Sequence, residues 1–132
     1  MGMKYIDLNE IYILNLVLDK GDIFAIPSLS SKKLPALLAE KVYNSLIKKQ
    51  ILINSNTFTE EGAKLVKCIA DYKQAERYVK IKTVIIGIYK EGYGIALLEN
   101  PFMHTYAFVR IKEDFSKMKF EELQKGECTN GE

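Results

Sequence analysis

The chain has 132 residues, 48 % of them apolar, which suits one domain with a continuous core. Its 19 basic and 17 acidic side chains are interleaved and leave a formal charge of +2, so no basic run marks a nucleic-acid surface. Two distant cysteines, Cys68 and Cys128, have no Cys or His at ligand spacing; they argue against a zinc site and fit a reducing compartment.

Asp7-Leu8-Asn9-Glu10 has the form of a capping box, and the helix behind it spreads Leu8, Ile11, Tyr12, Leu14 or Asn15, and Leu18 around a broad apolar face. Asp19-Lys20-Gly21 is expected to end it. Ile23–Ile26 reads as a short extended piece stopped by Pro27, Ser28–Lys33 as a polar loop, and Pro35 as a helix start. Leu38, Val42, Leu46 and Ile47 then form the stripe of a second helix that ends near Lys48-Lys49-Gln50. Ile51–Phe58 reads as a hairpin turning at Asn54-Ser55-Asn56, because Asn tolerates the left-handed backbone. Thr59 caps a third helix that carries Glu60 and Glu61 in its first turn and Ala63, Val66, Cys68, Ile69 and Ala70 on its buried side.

From Tyr78 the period changes to two. The segment up to Tyr89 reads as one long strand, Lys90-Glu91-Gly92 as a turn, Tyr93–Leu98 as the returning strand, and Thr105–Lys112 as a third strand after Glu99-Asn100-Pro101. Asp114–Gln124, with Phe115, Phe120 and Leu123, is expected to be a short helix or turn. The fold class is therefore α+β: N-terminal helices with a small hairpin, a three-stranded antiparallel meander and a short C-terminal helix. One domain spans residues 1–125, and residues 126–132 form a polar, disordered tail. The expected core is Ile11, Leu14, Leu18, Leu38, Val42, Leu46, Val66, Ile69, Ile81, Ile86, Ala96, Leu98, Ala107 and Val109.

No constellation for chemistry emerges. His104 is the sole histidine and reads as a surface imidazole; Cys68 reads as a small core residue. Glu60-Glu61 and Glu121-Glu122 are adjacent pairs, whose side chains diverge on a helix and cannot share a substrate. Gly92-Tyr93-Gly94 joins two strands and lacks the helix N-terminus that a phosphate loop needs. The sequence thus predicts a protein that is not an enzyme, with no catalytic residue, no metal and no cofactor. Asp7 and Glu10 interrupt the first apolar stretch too early for a signal peptide, and Thr83–Leu98 is too short and too broken to span a bilayer. A cytoplasmic protein without a membrane partner is expected.

Two binding readings remain. Helix, hairpin and the Thr59-Glu60-Glu61-Gly62 start resemble a winged-helix DNA-binding regulator, in which Lys41, Asn44, Lys48 and Lys49 would contact DNA. Against it, Asn54-Ser55-Asn56 makes a short wing with no cation, and Ser28–Lys49 has periodicity for only one long helix.

The element order as a whole resembles the first half of the EspG-type chaperones of type VII (ESX) secretion systems. The resemblance rests on the Leu8–Leu18 helix, Ile26-Pro27, Ala39–Ile47 leading to Gln50-Ile51-Leu52, the Asn54-Ser55-Asn56 break, the Thr59-led helix and strands from Val79. It covers roughly Leu8–Phe120 and includes no diagnostic motif. It implies a protein without catalytic residues that covers an apolar surface of a small helical secretion substrate. The family's chains look like two related halves, and this sequence matches one. Independently, Val84–Leu98 has too many apolar positions for a sheet with one wet face. That excess predicts a protein-binding or homodimer surface at Ile86, Ile88, Tyr89, Tyr93 and Ile95.

Overall fold

A computed structural model describes residues 4–18, 21–27 and 34–123. In it, α1 (Leu8–Asn15), α2 (Ala36–Lys48) and α3 (Glu60–Lys73) pack with a two-stranded ribbon of β1 (Leu52–Asn54) and β2 (Thr57–Phe58). The C-terminal half forms β3 (Arg77–Ile81), β4 (Val84–Lys90), β5 (Tyr93–Asn100), β6 (Thr105–Lys112), a 3-10 turn at Phe115–Lys117, and β7 (Glu121–Leu123). These five strands make one antiparallel sheet in the order β6-β5-β4-β3-β7.

The α+β class stands, but the three-stranded meander with a terminal helix is corrected to this five-stranded sheet. Two causes account for the difference. The long strand expected from Tyr78 to Tyr89 is two strands, turned at Lys82-Thr83 with Lys82 in the left-handed region at φ 58°. Lysine carries none of the turn signal of Gly or Asn, and the apolar alternation runs on through the corner. The expected terminal helix is instead a 3-10 turn followed by β7, which pairs with β3 at Tyr78↔Leu123. Its exposed Glu121 and Glu122 resemble a helix surface but belong to a short charged edge strand, a composition that discourages further pairing.

The local signals at the first and third helices are realised. Asp7 and Glu10 close a reciprocal capping box, with Glu10 N donating to Asp7 Oδ1 at 2.8 Å and Asp7 N to Glu10 Oε1 at 2.9 Å. The Thr59 hydroxyl accepts from Gly62 N at 2.9 Å. Pro35 precedes α2. That helix ends with Gln50 in the left-handed region at φ 64°, while Gln50 N donates to Ile47 O and Ile51 N to Leu46 O, a complete Schellman pattern without glycine. Helix α1 stops at Asn15, short of the expected Leu18, because the buried Asn15 amide turns to bond Gly21 O at 2.9 Å. Ile23–Ile26 is a tight turn, with Ala25 at φ 67°, whose Ile23, Phe24 and Ile26 plug the core. Residues 19–20, the Ser28–Lys33 loop and the expected 126–132 tail lie outside the described residues.

The main core lies between the helices and one face of the sheet. Of the expected core, Ile11, Leu14, Val42, Leu46, Ile69, Ile86, Ala96 and Ala107 are buried, whereas Leu18, Val66, Ile81, Leu98 and Val109 are half-buried and Leu38 is exposed. Its centre is aromatic. Phe24 stacks on Tyr78 at 4.1 Å, and Tyr72 meets Tyr78 and Phe108 edge-on at 5.2 and 5.6 Å. Both phenols find carbonyls, Tyr72 donating to Phe24 O and Tyr78 to Tyr72 O.

Candidate protein-binding face

Period-two geometry sends alternate residues of β3–β6 to opposite faces. The inner face, with Tyr78, Ile95, Leu97, Tyr106 and Phe108, lies in the core beneath the helices. The outer face is built in rows that the strand register defines. One row runs Val79, Ile86, Ala96, Val109; a second runs Arg77, Ile88, Gly94, Ile111. A third contains the pairs Ile81–Val84 and Leu98–Ala107. Across β3–β6 Arg77 is the one charged side chain in these rows, and β7 adds Glu122 beside Val79.

The chain itself covers one end of this face. Phe115, on the segment between β6 and β7, packs with Val79, Ile86, Ile88 and Ala96, and Phe120 joins from the approach to β7. Gly94 makes room there: a Cβ would lie 2.7 Å from Ile86 Cγ2 and 3.3 Å from the Phe115 ring. Arg77 lies over the Phe120 ring at 5.3 Å and pairs with Glu122 at 3.4 Å, which neutralises the charge at the covered end. Toward the opposite end, Ile81, Val84, Leu98 and Val109 stay half-buried.

The five residues expected to form one surface are divided by the sheet. Ile86 and Ile88 face outward but lie under Phe115, each 5 % exposed. Ile95 is fully buried on the inner face. Tyr89 and Tyr93, with rings 6.4 Å apart, stand at the inner edge, where Arg110 covers Tyr89 and Lys90 and Lys112 flank Tyr93. The excess of apolar residues was legible. Their division was not, because it depends on the register of β5 on β4, which sets Ile88 opposite Gly94 and Ile95 opposite Gly87.

Of the residues named for DNA contact, Lys41, Asn44 and Lys48 are exposed on α2 at spacings that share one side. Lys49 is committed elsewhere, donating to Glu10 at 2.7 Å and to Tyr5 O at 2.9 Å. The hairpin tip at Asn54–Asn56 brings them no cation.

Arg110, Asp71, Tyr89 and Cys68 are tied into one set of structural contacts. Arg110 donates to Asp71 at 2.9 Å and to the Tyr89 hydroxyl at 2.8 Å, contacts that raise its pKa against the effect of its own burial. Its other amino group reaches Cys68 Sγ at 3.7 Å, yet burial outweighs that cation and pushes the thiol up, away from the thiolate a nucleophile needs. His104 sits exposed at the β5–β6 turn with φ 53°. Among the described residues, no three His, Cys, Asp or Glu side chains are grouped to hold a metal ion, and no helix is long and apolar enough to cross a membrane.

The class defined by this geometry is an α+β domain with one closed core and a second, partly covered apolar sheet face. Compared with known families, residues 2–122 match the model described as "Domain of unknown function (DUF5081)", and the chain belongs to that family. No curated protein and no solved structure matches the chain.

Proposed function

We propose that the chain is a non-enzymatic, cytoplasmic protein-binding module, an accessory chaperone of type VII secretion that covers an apolar surface of a small helical secretion substrate. One observation carries the binding role: the outer sheet face is apolar across β4–β6 in three successive rows, from Ile88–Gly94–Ile111 through Ile86–Ala96–Val109 to Leu98–Ala107 with Val84, while Phe115 and Phe120 cover only one end of it. A face meant for water would alternate with polar residues, and a contiguous apolar patch on a soluble domain is a mark of a partner surface. The secretion role comes from the EspG-like element order. In this reading the substrate meets Ile81, Val84, Leu98 and Val109, where an apolar helix can pack on the pleat. A tagged chain expressed in its own cell is expected to co-purify a helical secreted protein. Leu98→Lys with Val109→Lys should lose that protein while leaving the circular dichroism unchanged. Recovery of duplex DNA in place of a protein, or retention of the substrate by the double variant, overturns the reading.

A further inference from the structure

Beyond that face, β6 leaves one edge of the sheet open, and the register fixes which main-chain groups it offers. In an antiparallel strand the N–H and C=O of one residue point to the same side, and successive residues point to opposite sides. Tyr106 gives both groups to Ile6, donating to Ile6 O at 2.7 Å and accepting from Ile6 N at 2.8 Å, so it faces away from β5. The regular β5–β6 ladder carries that parity along the strand. Ala107, Val109 and Ile111 bond β5, while Phe108, Arg110 and Lys112 face the edge. At the far end Glu113 N donates to Gly92 O at 3.0 Å, in keeping with the same parity. The chain itself occupies only the rung at Tyr106. Lys4, next in register, turns aside to pair with Glu61 of α3 at 3.4 Å. Among the described residues, no hydrogen bond reaches the main chain of Arg110 or Lys112 from the open side, and both residues are exposed.

We infer that this edge takes an extended segment of a second partner, alternately acidic and apolar, which adds a strand to β6. The main chain sets the first requirement. A helix satisfies its own N–H and C=O groups, so only an extended chain fills the rungs at Arg110 and Lys112. Ile6 already occupies the neighbouring rung in that geometry. Side chains set the rest. On the inner side the added strand lies beside Arg110 and Lys112. Lys112 and Lys90 rest against the Tyr93 ring at 5.4 and 5.2 Å, with no carboxylate at pairing distance among the described residues. Acidic side chains are favoured there. On the outer side the strand continues the rows of Val109 and Ile111, both half-buried, which favours apolar residues. Cations on an edge discourage unselective pairing, and an acidic strand turns the same charges into attraction. A second copy of the chain does not fit. Two-fold pairing of the free rungs, centred on Arg110, Ile111 or Lys112, brings cation opposite cation in every case.

Amide hydrogen exchange of the full chain, followed by NMR, tests the edge, with a short synthetic peptide of alternating valine and glutamate as the probe. In the free protein the amides of Arg110 and Lys112 should exchange about a hundredfold faster than those of Val109 and Ile111. Excess peptide should slow Arg110 and Lys112 by about tenfold, and a peptide with lysine in place of glutamate should not. Lys112→Glu changes an exposed side chain and should reverse the preference between the two peptides. Lys112→Pro removes an outward N–H without breaking the ladder to β5, so circular dichroism should be preserved while the slowing at Arg110 is lost. Slow exchange at Arg110 and Lys112 in the free protein overturns the inference. So does a valine–glutamate peptide that slows neither amide, a lysine peptide of equal effect, or a Lys112→Pro chain that responds like the wild type. Lys112→Pro leaves Leu98 and Val109 in place and should still capture the helical secreted protein, so failure of one account is read separately from failure of the other.

Discussion

Glu10 offers the sharpest test of how the first two helices are held together. Its carboxylate is 1 % exposed, yet both oxygens are bonded: Oε1 takes Asp7 N at 2.9 Å and Lys49 Nζ at 2.7 Å, and Oε2 takes the Ser45 hydroxyl at 2.7 Å. One side chain therefore closes the cap of α1 and ties α1 to α2. Glu10→Ala removes the cap arm, strands the Ser45 hydroxyl and opens a small cavity. These losses cost about 1 kcal/mol each, while Lys49, about one-third exposed, regains water for part of its loss. The expected total is about 3 kcal/mol by urea unfolding, or about 12 °C in melting temperature for a chain of this size. Glu10→Gln keeps the shape and the acceptor for Asp7 N, so it should cost only about 1 kcal/mol. Lys67→Ala, which breaks an exposed helical pair with Asp71, serves as the control and should cost less than about 0.5 kcal/mol. A Glu10→Ala variant within about 1 kcal/mol of wild type, or a glutamine as damaging as the alanine, would refute the reasoning.

Other substitutions probe the backbone and the second core. Gln50→Gly should stabilise the protein by about 0.5–1 kcal/mol in the same unfolding assay, because glycine adopts the left-handed cap without strain. Gly62→Ala should cost about 3 kcal/mol or more, since a Cβ there would lie 1.9 Å from the Ile51 carbonyl oxygen, a backbone atom that cannot step aside. Ile88→Asp should unfold the chain as judged by circular dichroism, because it buries a carboxylate beneath Phe115. Burial pushes the Tyr78 phenol up to about 12, so the folded state favours its neutral form. Its contribution to stability should be complete below about pH 10, the unfolded value, and be lost as pH rises toward 12; Tyr78→Phe should flatten that part of the alkaline unfolding curve.

Legibility followed the range of the interaction. The Asp7 capping box, the Thr59 cap, the Pro35 start and the Ile51–Phe58 hairpin were readable because each is decided by residues within a few positions of one another. The α2 stripe was readable only at its centre: Val42 and Leu46 are buried, but Leu38 lies beyond the reach of the facing elements. Lys82 and Ala25 adopt left-handed conformations that neither residue type advertises, so one corner of the sheet and one core plug were hidden. The aromatic centre was missed for a different reason. Tyr72 and Tyr78 are compatible with either surface or core, and only the distant Phe24 and Phe108 decide between them. The candidate face was legible as a surplus of apolar residues along Val84–Leu98. Which side carried the surplus required the register, and the need for a cover on that side is met in part by Phe115 and Phe120, which come from the end of the chain.

The binding account rests on one side of β6, and a photo-crosslinking amino acid placed along that strand in living cells tests it most directly. Val109 and Ile111 point to the outer face, Arg110 and Lys112 to the other. The account predicts crosslinks to a secreted helical protein from position 109, fewer from 111 in the row that Phe115 covers, and none from 110 and 112. Crosslinks of equal strength at all four positions, or adducts confined to 110 and 112, would contradict it.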